Sequence, residues 1–328
     1  MRRREAIKLA AASAATTLLG SPAIAQTGWP DRRRTVRVIV PFPPGAANDA
    51  LGRLFADRLR QKYGVTVVVE NRAGASGWIG TRSVITADPD GYTLLASAFN
   101  TAVMPMVVKG AVYDPEADLE AMARTAIAPL ILVMSAARPQ RDLRALIAAA
   151  RANPRDWMFA VSAPGSAGHL ATLMFAQRTG VPFEIVPYRG TAPALLDVAS
   201  GNVHLMMDPT FALLPSANDG TRVRGLAIAS RARSPLAPDL PTFAEGGIDR
   251  FEFNSWYGIW GPKGTPREVS DRVNELVQET MRDPEIVARL ATTLLEPVAE
   301  SIDDTKRFIA SEIARARELL TSVGFTPE

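Results

Sequence analysis

The sequence predicts an α/β protein of two domains, and three observations carry that reading. Apolar, β-branched runs alternate with helical patterns along the chain, as they do in folds built on parallel sheets. A strand–loop–helix unit recurs 120 residues after its first appearance. The length of 328 residues suits two domains of ordinary size.

In chain order, strands are predicted at 35–42, 65–70, 92–98, 129–135, 157–162, 183–188, 203–208 and 224–230. Helices are predicted near 48–62, 141–152, 166–179, 191–200, 266–281 and 303–320. The first strand, TVRVIVPF, is rich in β-branched residues and reads as buried; the stretch that follows it reads as an amphipathic helix. The helix near 266 has a clear start signal, Thr265 ahead of Pro266 at the first helical position.

The repeat is legible residue by residue. PGAANDALGRLFADR (44–58) falls on PGSAGHLATLMFAQR (164–178), with Pro44/Pro164, Gly45/Gly165, Ala47/Ala167, Phe55/Phe175, Ala56/Ala176 and Arg58/Arg178 identical. Both stretches follow an apolar strand and open a helix. Two equivalent units, one per domain, would face each other across a cleft at the carboxyl ends of their strands. A helix start presents free amides and the positive end of a dipole, so it attracts an anion. Small residues at Gly45, Ala46 and Ala47, and at Gly165 and Ser166, leave room for a carboxylate to reach those amides. Plain capping by Asn48, Asp49 and Ser166 is the competing explanation.

Composition closes other routes. There is no cysteine, which excludes disulfides, thiolate nucleophiles and Cys-ligated metal. The two histidines, His169 and His204, sit in different predicted elements, which fits buried or capping roles better than catalysis or a metal site. No G-x-S-x-G elbow is present. Gly74, Gly77 and Gly80 follow a strand, but their spacing departs from the dinucleotide fingerprint, and no cofactor is expected.

The first 25 residues read as an export signal, with a basic start, a short apolar middle and Ala23-Ile24-Ala25 as the cleavage signature, placing the mature protein in the periplasm. Arg3 and Arg4 with Lys8 resemble a twin-arginine signal, while Ala6 departs from it, so the twin-arginine and general secretory routes both fit. That segment carries Arg2, Arg3, Arg4 and Lys8 against Glu5, which is the whole +3 net charge of the chain. The remainder is formally neutral, and no nucleic-acid partner is indicated.

Seven stretches occur in an order that resembles the tripartite tricarboxylate transporter substrate-binding proteins, the Bug family of periplasmic solute receptors. They are VPFPPG…D (40–49), VVVENRAGASGWIG (67–80), ADPDGYTLL (87–95), YDPEADLEAM (113–122), GSAGHL (165–170), VPYRGTAPALLDVASGNVHLMMD (186–208) and SWYGIWGPKGTP (255–266). The resemblance covers about 36–324. It implies a two-domain periplasmic binding protein of type II-like form, with a ligand cleft between domains joined by two crossing segments. The domains would be 32–131, 132–232, and 233–328 returning to the first with the C-terminal helices. It also implies capture of a small carboxylate, delivery to the membrane subunits of a tripartite tricarboxylate transporter, a monomer, and no enzymatic activity. Carried onto this sequence, the ligand contacts would be Phe42, Pro44, Gly45, Ala46, Ala47, Asn48, Ser97, Thr101, Ser162, Gly165, Ser166, Ala167, Tyr188 and Asp208.

Ala46, Asn48, Trp78, Leu173 and His204 depart from the family's usual residues. Trp78 and Phe99 fit either a pocket for a bulkier acid or simple packing. A ligand-sensing subunit for a signalling protein and a periplasmic α/β hydrolase are the alternative functions; the hydrolase lacks an evident nucleophile–base pair.

Overall fold

A computed structural model describes residues 28–327. The export signal and its cleavage site after Ala25 lie outside the described residues. The chain begins with β1 (Thr35–Val40), α1 (Ala47–Tyr63), β2 (Thr66–Asn71), α2 (Trp78–Ile85), β3 (Thr93–Ala98) and a single-turn α3 (Asn100–Val103). The long β4 (Leu119–Ser135) leads to α4 (Leu143–Ala152), β5 (Met158–Val161), α5 (Ala167–Thr179), β6 (Glu184–Pro187), α6 (Thr191–Ser200), β7 (Leu205–Pro209), α7 (Thr210–Asp219) and β8 (Val223–Ile228). The chain closes with β9 (Asn254–Pro262), α8 (Arg267–Arg282), α9 (Pro284–Ala291), β10 (Glu296–Pro297) and α10 (Ile302–Ser322).

Strand β1 lies between β2 and β3, parallel to both. Strand β9 runs antiparallel to β3 and to the first part of β4. At Leu130, β4 changes partners and pairs antiparallel with β7 and β8, while β5 runs parallel to β6 and β7. The sheet is therefore mixed; the parallel pairs seen in the sequence are joined by antiparallel strands. Residues of β1 divide by period: Val36, Val38 and Val40 join Leu51, Leu54, Phe55 and Leu59 of α1 in one core, and Ile39 joins the core that holds Phe99, Phe159 and Phe175.

Two segments cross between the lobes, side by side. One is β4. The other enters β9 from Phe253, after a stretch from 229 that turns back onto β8. The Leu130 carbonyl accepts from the Ala229 amide at 2.8 Å, and the Leu130 amide donates to the Phe253 carbonyl at 3.3 Å.

Sequence patterns miss half of this frame. The first part of β4, LEAMARTAIA, mixes Ala, Glu and Arg, which favour helix when alone. Pairing with β9 on one flank and β10 on the other makes it a strand. In β9 the strand pattern is interrupted by Gly258 and Gly261, yet all but its first residue are buried. Helix α8 starts at Arg267, one residue beyond the predicted start, with Pro266 as the capping residue.

Candidate functional site

The carboxyl ends of β1, β3, β5 and β7 converge on a cavity of about 430 Å3 between the lobes. This is where open α/β sheets place ligands. The loop after β1 supplies Phe42, Pro44, Gly45, Ala46, Ala47 and Asn48 to its wall. The loop after β5 supplies Ser162, Ser166 and Ala167, and the end of β7 supplies Asp208. Loops of the two lobes meet at the mouth, where a methyl added at Gly190 would touch the Pro43 ring at 3.7 Å.

The two helix starts share a device. In each, the glycine sits at positive φ, 95° at Gly45 and 77° at Gly165, and turns its amide back onto the side chain four residues ahead. Gly45 donates to Asp49 Oδ2 at 3.1 Å, and Gly165 donates to His169 Nδ1 at 3.1 Å. These two amides are therefore already used. The next ones are not: among the described residues, no acceptor is bonded to the Ala46, Ala47, Asn48 or Ala167 amides, all four residues lining the cavity. Ala46 occupies the cap of α1 in extended geometry without a side-chain cap, whereas Ser166 caps α5 by accepting from the His169 amide at 3.1 Å.

Two side-chain atoms in the wall are buried without a partner, Asn48 Nδ2 and Asn100 Oδ1. Buried polar atoms are normally paired, so these are sites a ligand or water would satisfy. Asp208 is fully enclosed and accepts from Ser162 Oγ at 3.0 Å and from Thr191 Oγ1. Burial pushes its carboxyl up to about 6, against the two hydroxyls that favour the charged form.

Four of the residues expected at the ligand lie elsewhere. Ser97 and Thr101 are buried and hydrogen-bonded to each other. Tyr188 donates to Asp197 at 2.7 Å. Gly165 lies behind its loop, against α3: a methyl there would sit 3.7 Å from the Met104 backbone. None of the four lines the cavity. Trp78 stacks on Tyr113, with centroids 5.1 Å apart and planes 6° apart, and is a packing residue; Phe99 lines the cavity.

Sequence reasoning missed Asn100, Arg189, Thr191, Ser255 and Tyr257, all of which line the cavity. Asn100 stands just past the end of β3, so the strand-end rule would have found it. Arg189 and Thr191 lie within the quoted YRGTAP stretch.

Neither histidine lines the cavity. His169 is buried, and burial pushes it down to about 4. His204 Nδ1 accepts from the Met158 amide at 3.1 Å, and its Nε2 lies 2.7 Å from Arg138. No cluster of acidic and histidine side chains suited to a metal occurs among the described residues. No helix among them is long and apolar enough to cross a membrane.

The geometry has close relatives. BugT of Bordetella pertussis (strain Tohama I) is 36% identical over 312 residues, covering 94% of each chain. The solved structure of R. palustris Rpa4515 with adipate superposes at a TM-score of 0.87 with 35% identity, covering 92% of this chain and all of that one. The periplasmic binding protein BugD superposes at 0.83 with 31% identity, over 90% of this chain and 99% of its own. The model of the tripartite tricarboxylate transporter family receptor matches residues 51–325. The chain belongs to that receptor family, and its fold is the two-domain periplasmic binding protein fold.

Proposed function

We propose that this protein is an exported receptor that captures a small carboxylate between its lobes and delivers it to the membrane subunits of a tripartite tricarboxylate transporter. The observation that carries the reading is the pair of helix starts on one cavity, with unbonded amides from both lobes. The carboxylate lies between the Ala46, Ala47 and Asn48 amides on one side and the Ala167 amide on the other. Phe42, Pro44, Ser162, Ser166 and Asp208 complete the ligand's surroundings. Adipate bound to the Rpa4515 relative supports an acid as ligand.

The limits 32–131, 132–232 and 233–328 are part of the proposal; the change of partners at Leu130 supports the first of them. So are cleavage after Ala25, a periplasmic location, a monomeric state and binding without turnover. A thermal-shift screen of mono-, di- and tricarboxylates, aromatic acids included, tests the function. An acid at ~100 times its Kd adds about 2.7 kcal/mol of stability. A screen in which no acid raises the melting temperature contradicts the reading.

A further inference from the structure

Of the residues that line the cavity, two are charged, Asp208 and Arg189. They differ in every respect. Asp208 is enclosed and held by two hydroxyls. Arg189 is exposed, and among the described residues it makes no ion pair and its guanidinium donates no hydrogen bond. Its loop is nevertheless fixed: the Tyr188 amide donates to the Val161 carbonyl at 2.9 Å and the Gly190 amide to the Ser162 carbonyl at 2.8 Å. A guanidinium with no structural partner is thus carried on a tethered loop at the cavity wall.

Much of the rest of the wall is apolar, including Ala98, Phe99, Leu195, Phe211 and Tyr257. Such a wall suits methylene groups and opposes a second charge unless a cation meets it. A negative Asp208 adds to that opposition. The guanidinium's planar fork matches a carboxylate in two-point geometry.

We propose that Arg189 determines specificity, taking the distal carboxylate of a linear dicarboxylate whose first carboxylate lies on the helix starts. The inference rests on the carboxylate reading of the cleft given above. Because Arg189 holds no other part of the fold, its replacement leaves the folded protein intact.

The test is calorimetric titration of adipate and of its monomethyl ester, which keeps the length and removes one charge. The parent is compared with Arg189→Gln and with Arg155→Gln, a control at the opposite end of β5. Arg189→Gln is expected to weaken adipate about tenfold, as the loss of a hydrogen bond between charged groups would, and to move the ester less than twofold. Arg155→Gln is expected to change neither. An adipate-to-ester ratio that survives Arg189→Gln overturns the inference. A parent that binds both equally well also overturns it and leaves the carboxylate site standing. A parent that binds neither these two nor any acid of the screen overturns the site and the inference together.

Discussion

Asp49 and His169 stand 120 residues apart and perform one task with opposite chemistry. Each accepts the amide of the glycine four residues before it and so closes the loop ahead of a helix. Asp49 does so as a carboxylate that also accepts from Arg53 and Asn71. Burial acts to raise its pKa, and the bonds from Arg53, Asn71 and Gly45 outweigh burial and hold it below the usual range. His169 does so as a neutral ring, enclosed and edge-on to Phe325 at 5.6 Å. The closed turn is shared while the stabilising chemistry follows the surroundings: both acceptors are buried, but Asp49 has the Arg53 guanidinium beside it and an exposed glycine as donor, whereas the glycine that donates to His169 is itself buried. Both solutions leave the following amides free.

The same contrast governs how tightly each helix meets its sheet. In α5 the close approach falls at Gly168, where an added methyl would lie 2.0 Å from the Met207 carbonyl oxygen. In α1 the equivalent position is Asn48, and the close approach comes a turn later, at Gly52, against the Ala96 and Val40 methyls at 3.0 and 3.1 Å. Gly168→Ala therefore forces backbone apart and should cost about 3 kcal/mol or more. Gly52→Ala meets side-chain methyls and gains helix propensity, so it should cost about 1 kcal/mol or less. Urea unfolding of both variants measures the difference, and equal costs would erase the contrast.

Removing the two acceptors comes next in size. His169→Ala strands the buried Gly165 amide and opens a cavity, for a loss of about 2 kcal/mol. Asp49→Ala leaves the Gly45 amide exposed to water and should lose about 1 kcal/mol. A larger loss at Asp49 than at His169 would reverse the order drawn from the exposure of the two glycine amides.

Opposed pH dependences sharpen the comparison further. His169 has its pKa lowered from 6.5 to about 4, so the unfolded chain binds its proton first and stability falls as pH drops through that window. Asp208 has its pKa raised from 3.8 to about 6, so the folded chain binds its proton first and stability falls as pH rises through that window. Between pH 4 and 6 the two slopes oppose each other, each approaching 1.4 kcal/mol per pH unit in magnitude. Asp208→Asn should make stability climb with pH more steeply than in the parent, and His169→Ala should tilt it the other way. Denaturant midpoints at half-unit pH steps decide it; parallel profiles for parent and both variants would remove either group from the account.

The twin loops could be read from sequence because a repeat preserves loop chemistry together with its strand and helix context. Their inner bonding could not be assigned, since in the sequence Asp49 is one of several possible caps and His169 fits any buried or capping role. Asp208 was found at the end of a recognisable strand. Arg189 escaped because an exposed arginine in a loop resembles every solvated arginine until the fold puts it on a cavity. Ser97 and Thr101 came from the family resemblance, which does not reveal that the two hydroxyls are buried and bonded to each other, away from the cavity wall. Strand β9 and the first half of β4 carry no strong strand pattern; their conformation is set by partners distant in sequence.

The central claim is that one carboxylate lies between the two helix starts. Its most direct test is calorimetric titration of an acid selected by the screen, against Ala46→Asp and Ser166→Asp. Ala46→Asp gives α1 the side-chain cap it lacks and should raise stability by about 1 kcal/mol, while Ser166→Asp retains a cap, so thermal unfolding should show both folded. Each places a negative charge where the ligand's charge belongs. The account predicts that each weakens binding at least about tenfold, or 1.4 kcal/mol, while Asp57→Ala on the exposed face of α1 binds as the parent does. Parent-like affinity in both Asp variants would contradict the paired-loop site and leave the two loops as capped turns.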